Sequence, residues 1–278
     1  MRVRSKVWQL VIYAVLLMGV VVFIFPFLYM IMTTFVKGAY TLPRPYEIFS
    51  AVPNLDNYQI VWNRNHFARY FLNSAVVTAV SMAGGLFLGA LTAYGFARFQ
   101  FPGKEALFRL FLLTMMIPGV INIIPQFIII KNLGLVNTYA GLWLIYIGGG
   151  VVGSTFFLRG FFEGIPKELE ESVMIDGGSN FKIFWHIYLP QSLPALGTLA
   201  IFSFQGTWEE YFLALTIIKS EVMRTLPIAL MMFHDQHATN YSWVFAASVI
   251  ALLPVVLVYI TFQKKFVQSG YNDGAVKG

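Results

Sequence analysis

Apolar residues in this chain come in long unbroken runs rather than in alternation. Six runs stand out, at 7–33, 71–97, 106–130, 139–162, 193–218 and 242–266, separated by short polar joints. Each is long enough to cross about 30 Å of hydrocarbon as a helix with some tilt. Lipid offers no partner to an unpaired backbone group, so a spanning segment of this kind must be helical. The alternating segments of about 10 residues that would mark a barrel are absent. The pattern predicts an all-α integral membrane protein with six transmembrane helices, forming one membrane domain over residues 1–278. Residues 163–192 are its main polar interruption. Within them, Lys167 to Lys182 carries Glu168, Glu170, Glu171 and Asp176 and a Gly177-Gly178 pair.

Composition agrees with this reading. Charged residues make up 12% of the 278, against about 25% in soluble domains, and the mean hydropathy is +0.68. The net charge of +6 is not gathered into basic runs longer than two residues, so it points to membrane topology rather than to nucleic acid. With the N-terminus inside, twelve of the 19 Lys and Arg residues fall on the cytoplasmic side and seven outside. That bias puts both termini and the 163–192 stretch in the cytoplasm. Arg2, Arg4 and Lys6 precede an apolar run too long for a signal-peptide core, so the run is read as a retained first helix. Cysteine is absent, which excludes disulfides and thiolate metal sites.

Within the runs, several positions carry more than hydropathy. Gly85, Gly89, Ala93 and Ala97 lie four apart on one helix face, a spacing that lets helices approach closely, inside one subunit or against a partner subunit. Pro118 and Pro125 would kink the third run, and Lys131 to Gly134 reads as its C-terminal stop. The fourth run is weakened by Gly148, Gly149, Gly150 and Gly153. The fifth holds Gln205, Trp208, Glu209, Glu210 and Tyr211 beyond its midplane, since Leu193 to Glu209 is about 24 Å of helix. Acids inside a span face a cavity or a partner, so this group either lines a substrate path or reaches the outer interface. Between the last two runs, Leu226 to Phe233 is apolar enough for a short helix or re-entrant segment. His234 and His237 form an HxxH without a third ligand, so no metal site is assigned.

The chain has no Walker A pattern, no HExxH and no GxSxG, and no nucleophile paired with a base. It reads as a conduit without catalytic machinery or a cofactor of its own, driven from outside. The polar stretch then becomes a handle. Pro166 can open a helix, Glu168, Glu170 and Glu171 suit its first turn, Asp176-Gly177-Gly178 ends it, and Ser179 can cap a second helix through Ile187.

Glu171, Gly177 six residues on, then nine residues and Ile187-x-Leu189-Pro190 resemble the EAA motif of importer-type ABC permeases, with Ser172 and Val173 in place of its two alanines. Asn57-Tyr58, Asn73-Ser74, Ala93-Tyr94-Gly95-Phe96-Ala97-Arg98, Phe101-Pro102-Gly103-Lys104 and Gly134-Leu135-x-Asn137-Thr138-Tyr139 extend the likeness, as does the terminal Gly-Ala-Val-Lys-Gly. Together they resemble the smaller permease of maltose-type carbohydrate importers. The resemblance implies an importer-type ABC permease fold with a cytoplasmic coupling helix and a function in binding-protein-dependent uptake of a carbohydrate or related polyol. Glu168, Glu171, Ser172, Asp176, Gly177, Ile187, Leu189 and Pro190 would form the ATPase-coupling site. The implied partners are a homologous second permease, a cytoplasmic ATPase dimer that holds ATP and Mg, and an extracytoplasmic solute-binding protein touched by the 219–241 loop. Trp208-Glu209-Glu210-Tyr211 is similar to the family's Trp-Asn-Glu/Asp-Phe, with Glu209 replacing the asparagine. The competing reading is an ion-coupled secondary transporter or channel using Glu209 and Glu210, which would be expected to show internal repeats.

Overall fold

The computed structural model describes residues 6–50, 53–64, 66–233 and 239–275, and among them there are helices and turns but no strand. In chain order the α-helices are α1 (Lys6–Thr33), α2 (Pro45–Ser50), α3 (Asp56–Asn63), α4 (Phe67–Arg98), α5 (Lys104–Met115), α6 (Ile123–Asn132), α7 (Tyr139–Glu163), α8 (Glu168–Ile175), α9 (Asn180–Ile183), α10 (Leu189–Gln191), α11 (Leu193–Trp208), α12 (Phe212–Ile217), α13 (Leu226–Met231) and α14 (Tyr241–Ala275). A 3-10 turn, Gly119–Asn122, leads into α6, and a π-helical turn, Phe184–Tyr188, joins α9 to α10. Four segments are long and apolar enough to span on their own: Trp8–Thr33, Phe67–Arg98, Tyr139–Glu163 and Tyr241–Gln263. The number rises to six when each of two bent pairs counts as one span.

The kink expected at Pro118 is a full break in the third run, and a second bend falls just before the run expected at 193–218. The third run turns by 98° between α5 and the Gly119–Asn132 segment. Pro118 sits at the break, with φ −58° and ψ 130°; it has no N–H to give and pushes Ile117 out of helical geometry. Pro125 does not kink anything. It lies in the first turn of α6, where an N–H has no intrahelical partner to lose. The fifth run stops at Trp208 and resumes as α12, and its entry from Asn180–Gln191 is bent by 74°.

The chain forms two compact units, residues 1–67 with 230–252 and residues 68–229 with 253–278. In the first, α1 is exposed along most of its apolar length, as a lipid-facing helix would be. The loop after it is compact: the Asn57 amide donates to the Thr34 and Val36 carbonyls at 2.7 and 3.0 Å, and the Tyr241 N–H donates to the Ala39 carbonyl at 2.7 Å.

The second unit is built on α4 and α7. A Cβ on Gly85 would stand 3.3 Å from the Gly150 Cα, and one on Gly89 would stand 2.4 Å from the Ser154 Cβ. The small-residue face of α4 is therefore used inside this chain, against the glycine-rich part of α7. Two core clusters lie along this seam. One joins Val77, Ile130, Leu142, Leu213, Ile217 and Ile228. The other joins Ala90, Ala93 and Tyr94 of α4 with Leu158 and Phe162 of α7 and with Ile183, Phe184 and Tyr188. The first cluster takes an earlier α4 residue with an earlier α7 residue and the second takes later ones with later ones, so the two helices run in the same direction. Arg98 and the α7–α8 joint consequently emerge at one end.

Candidate functional site

The polar stretch folds as its residues suggest. Three acids occupy the first turn of α8, where they meet the positive end of the helix dipole. The helix closes in a Schellman arrangement: the Gly178 N–H donates to the Val173 carbonyl at 2.8 Å and the Gly177 N–H to the Met174 carbonyl at 3.0 Å. Gly177 has φ +74°, a conformation that costs any residue with a Cβ. The Ser179 hydroxyl accepts from the Lys182 N–H and caps α9.

The predicted coupling residues divide into two groups. Glu168, Glu171, Ser172, Asp176 and Gly177 are exposed. Ile187 and Leu189 instead pack against the Tyr94–Phe162–Tyr188 core, and Pro190 lies exposed in α10. The outward face also shows Met174, Phe181 and Trp185, and Ile175 is 84% exposed. Phe181 and Trp185 stack with centroids 6.2 Å apart. This is a small apolar patch rimmed by carboxylates, the kind of surface that marks an interaction site.

What sequence reading missed is the anchor beneath that surface. Arg98, the last residue of α4, pairs with Glu170 at 2.8 Å, with side chains 7% and 13% exposed. Its guanidinium also donates to the Tyr188 hydroxyl and the Ile165 carbonyl, and the Tyr188 hydroxyl donates to Glu170. The guanidinium carbon lies 5.1 Å from the Tyr188 ring centroid, and the Tyr94 hydroxyl donates to the Asn180 carbonyl at 3.2 Å. One signal was available. Glu170 and Val173 are three apart and share a helix face, so an inward Val173 turns Glu170 inward too.

At the break in the fifth run, the adjacent acids part company. The Glu210 carboxylate accepts from the Tyr146 hydroxyl at 2.5 Å and from the Leu213 and Ala214 N–H groups at 2.7 and 3.0 Å. It caps α12. Glu209 is exposed and accepts weakly from the Gln205 amide at 3.5 Å. Trp208 is buried, stacked on Phe204 at 5.3 Å and edge-on to Phe71, while Tyr211 is half-buried beside Phe212. A cleft of about 580 Å³ opens alongside, lined by Gly119, Gln126, Tyr146, Phe202, Ser203, Thr207, Glu210 and Phe212 together with Gly149, Gly150 and Gly153. Of the five residues expected on a substrate path, only Glu210 reaches it.

Near the other core cluster, side chains from distant runs hold the segment after α12. The Asn137 side-chain Oδ1 accepts from the Lys219 and Ser220 N–H groups at 3.0 and 2.7 Å. The Asn73 amide donates to the Val222 and Arg224 carbonyls, and the Leu226 N–H donates to the Ser74 hydroxyl. The apolar stretch expected as a short helix is α13, with Leu226, Ile228 and Ala229 buried. His234 and His237 lie outside the described residues, as do the last three residues of the C-terminal tail.

This is the architecture of a multi-pass helical membrane permease with a short, outward-facing helix between two spans. The chain belongs to the family of binding-protein-dependent transport system inner membrane components, which matches residues 85–269. It is 34% identical over 254 residues to a probable ABC transporter permease protein, YurM of Bacillus subtilis (strain 168), covering 91% of this chain and 84% of that one. It is 32% identical over 282 residues to the galactooligosaccharides transport system permease protein GanQ of the same organism, covering 100% and 99%. A third relative is the diacetylchitobiose uptake system permease protein NgcG of Streptomyces coelicolor (strain ATCC BAA-471 / A3(2) / M145), 32% identical over 262 residues, covering 92% and 85%. The fold matches a chain of a bacterial ABC transporter involved in import of the acidic polysaccharide alginate, with TM-score 0.81, 22% identity and 96% and 99% coverage.

Proposed function

We propose that this chain forms half of the translocation pathway of a carbohydrate importer and takes its motion from a separate ATPase through α8. The observation that carries this reading is the outward face of α8. Glu168, Glu171 and the closing Asp176 flank exposed Met174 and Ile175 on a helix too short to span a bilayer, with exposed Phe181 following on α9, and the helix is set beside a core that anchors it. A groove in a cytoplasmic ATPase subunit would cover this patch. ATP and Mg would be held by that subunit, and the chain itself would catalyse nothing. Both termini would be cytoplasmic, a homologous permease would complete the pathway, and an extracytoplasmic solute-binding protein would deliver the solute to the segment that Asn73, Ser74 and Asn137 brace.

The cleft supports a hydroxyl-rich solute. Tyr146, Phe202 and Phe212 offer ring faces and edges, Gln126, Ser203 and Thr207 offer hydrogen bonds, and Glu210 is the sole ionisable carboxylate among the lining residues, which include no Lys, Arg or His. Aromatic surface with a few placed polar groups suits a sugar ring. The sugar and oligosaccharide permeases among the relatives support the same class. The ion-coupled alternative is not favoured, because the chain belongs to a binding-protein-dependent family.

The test is co-purification. The tagged chain, expressed with its cognate ATPase, should retain that subunit through detergent extraction. Glu171→Lys and Gly177→Pro should each lose it while still inserting in the membrane. Retention of the ATPase by both variants would refute the coupling assignment.

A further inference from the structure

We propose that Arg98, Glu170 and Tyr188 form a transmission clamp that makes α8, the end of α4 and the π-helical turn move as one body. The proposal rests on α8 being the ATPase-contacting helix and adds how its displacement reaches the membrane helices. α8 has eight residues, none of them buried, and is joined to its neighbours by turns on both sides. Packing alone therefore holds it weakly. Val173 is half-buried against the core, and Glu170 supplies the one ion pair α8 makes among the described residues. Its partner Arg98 terminates a 32-residue helix. The same guanidinium reaches Tyr188, on the path into α11, and the Ile165 carbonyl, on the path out of α7. One side chain thus ties α8 to three membrane helices.

The chemistry suits transmission. A guanidinium has five N–H donors in a rigid plane and can hold several acceptors at once, which an ammonium cannot do in fixed geometry. Its central carbon also lies over the Tyr188 ring, within cation–π range. The π turn at Phe184–Tyr188 adds a residue to the helical repeat, a local departure common at working sites. Here it ends on the tyrosine that bridges Arg98 and Glu170.

The test uses the full complex of chain, second permease and ATPase in proteoliposomes, and needs no knowledge of the solute. The chain has no cysteine, so an environment-sensitive fluorophore can be placed uniquely at Leu88→Cys, exposed on α4, once the partner subunits are made cysteine-free. Adding a non-hydrolysable ATP analogue with Mg should shift its emission in the parent. With Arg98→Gln or Glu170→Gln the ATPase should remain bound, but the shift should fall at least fivefold. Arg98→Lys should restore part of it, and Tyr188→Phe should lose less than either charge variant. If a single neutralised variant fails to accumulate, the doubly neutral Arg98→Gln/Glu170→Gln replaces it and should assemble without the shift. Shifts within twofold of the parent would overturn the clamp. So would failure of every neutralised variant to accumulate, which would make the cluster a folding element. A parent that binds no ATPase would instead count against the coupling reading itself.

Discussion

Two pairs of adjacent glutamates sit in the two candidate functional regions of this chain, and in each pair one acid turns in and the other out. In α8, Glu170 is drawn to Arg98 while Glu171 stays exposed. At the break after α11, Glu210 is held by Tyr146 and two backbone N–H groups while Glu209 stays exposed. In α8 neighbouring residues point about 100° apart, and at the break Glu209 and Glu210 lie beyond the last helical residue, so in either setting a double acid can serve structure and surface together. The internal partners differ, however. Glu170 neutralises a full cation in a nearly dry setting, whereas Glu210 is bound only by neutral dipoles. The first arrangement is rigid and punishes removal of either partner. The second leaves a carboxylate at the edge of a cleft with its hydrogen bonds satisfied.

This difference predicts a graded series. Glu170→Ala leaves Arg98 buried without its carboxylate, and breaking a buried pair from one side costs about 3–5 kcal/mol. Thermal unfolding of the purified chain in detergent should show the largest loss here. Glu171→Ala, one residue on, should stay within about 0.5 kcal/mol. Equal losses would erase the distinction between the inward and outward acids. Next comes Glu210→Gln, which keeps the shape and loses charge-assisted bonds, for a loss of about 1–3 kcal/mol in the same assay. Gly177→Ala should follow at about 1–2 kcal/mol, from the left-handed backbone it must adopt. Smallest is Glu209→Asn, expected to leave stability within about 0.5 kcal/mol. If Glu209, exposed and outside the cleft lining, borders the route a solute takes to the cleft, the substitution should register in uptake by the reconstituted transporter. Unchanged affinity, rate and solute range would remove Glu209 from that path.

Much of this was readable from local signals. Long apolar runs place the helices because burial in lipid permits little else. Pro166, the acids after it, Gly177-Gly178 and Ser179 define α8 and its flanks through caps and turns that depend on a few neighbouring residues. The breaks were harder. Pro118 marks one, but how far a chain turns there depends on packing that no short window contains. The stop after Trp208 has no proline or glycine at the break itself, and it is stabilised by Tyr146 from another helix. Arg98 was visible as the end of an apolar run and of a family-like stretch but not as an anchor, because its pairing with Glu170 and Tyr188 exists only after α4 and α7 have aligned. Local chemistry gave the exposed half of the candidate site, and tertiary structure supplied the half that holds it.

The central claim is that the outward face of α8 seats in an ATPase subunit. Because the chain has no cysteine, Ile175→Cys gives a single thiol at the most exposed point of that helix. Its rate of labelling by a membrane-impermeant maleimide should be measured in inside-out vesicles, with a cysteine-free ATPase subunit present and absent. Slowing by tenfold or more when the ATPase is present is the result expected. Equal labelling of Ile175→Cys with and without the bound ATPase would contradict the account.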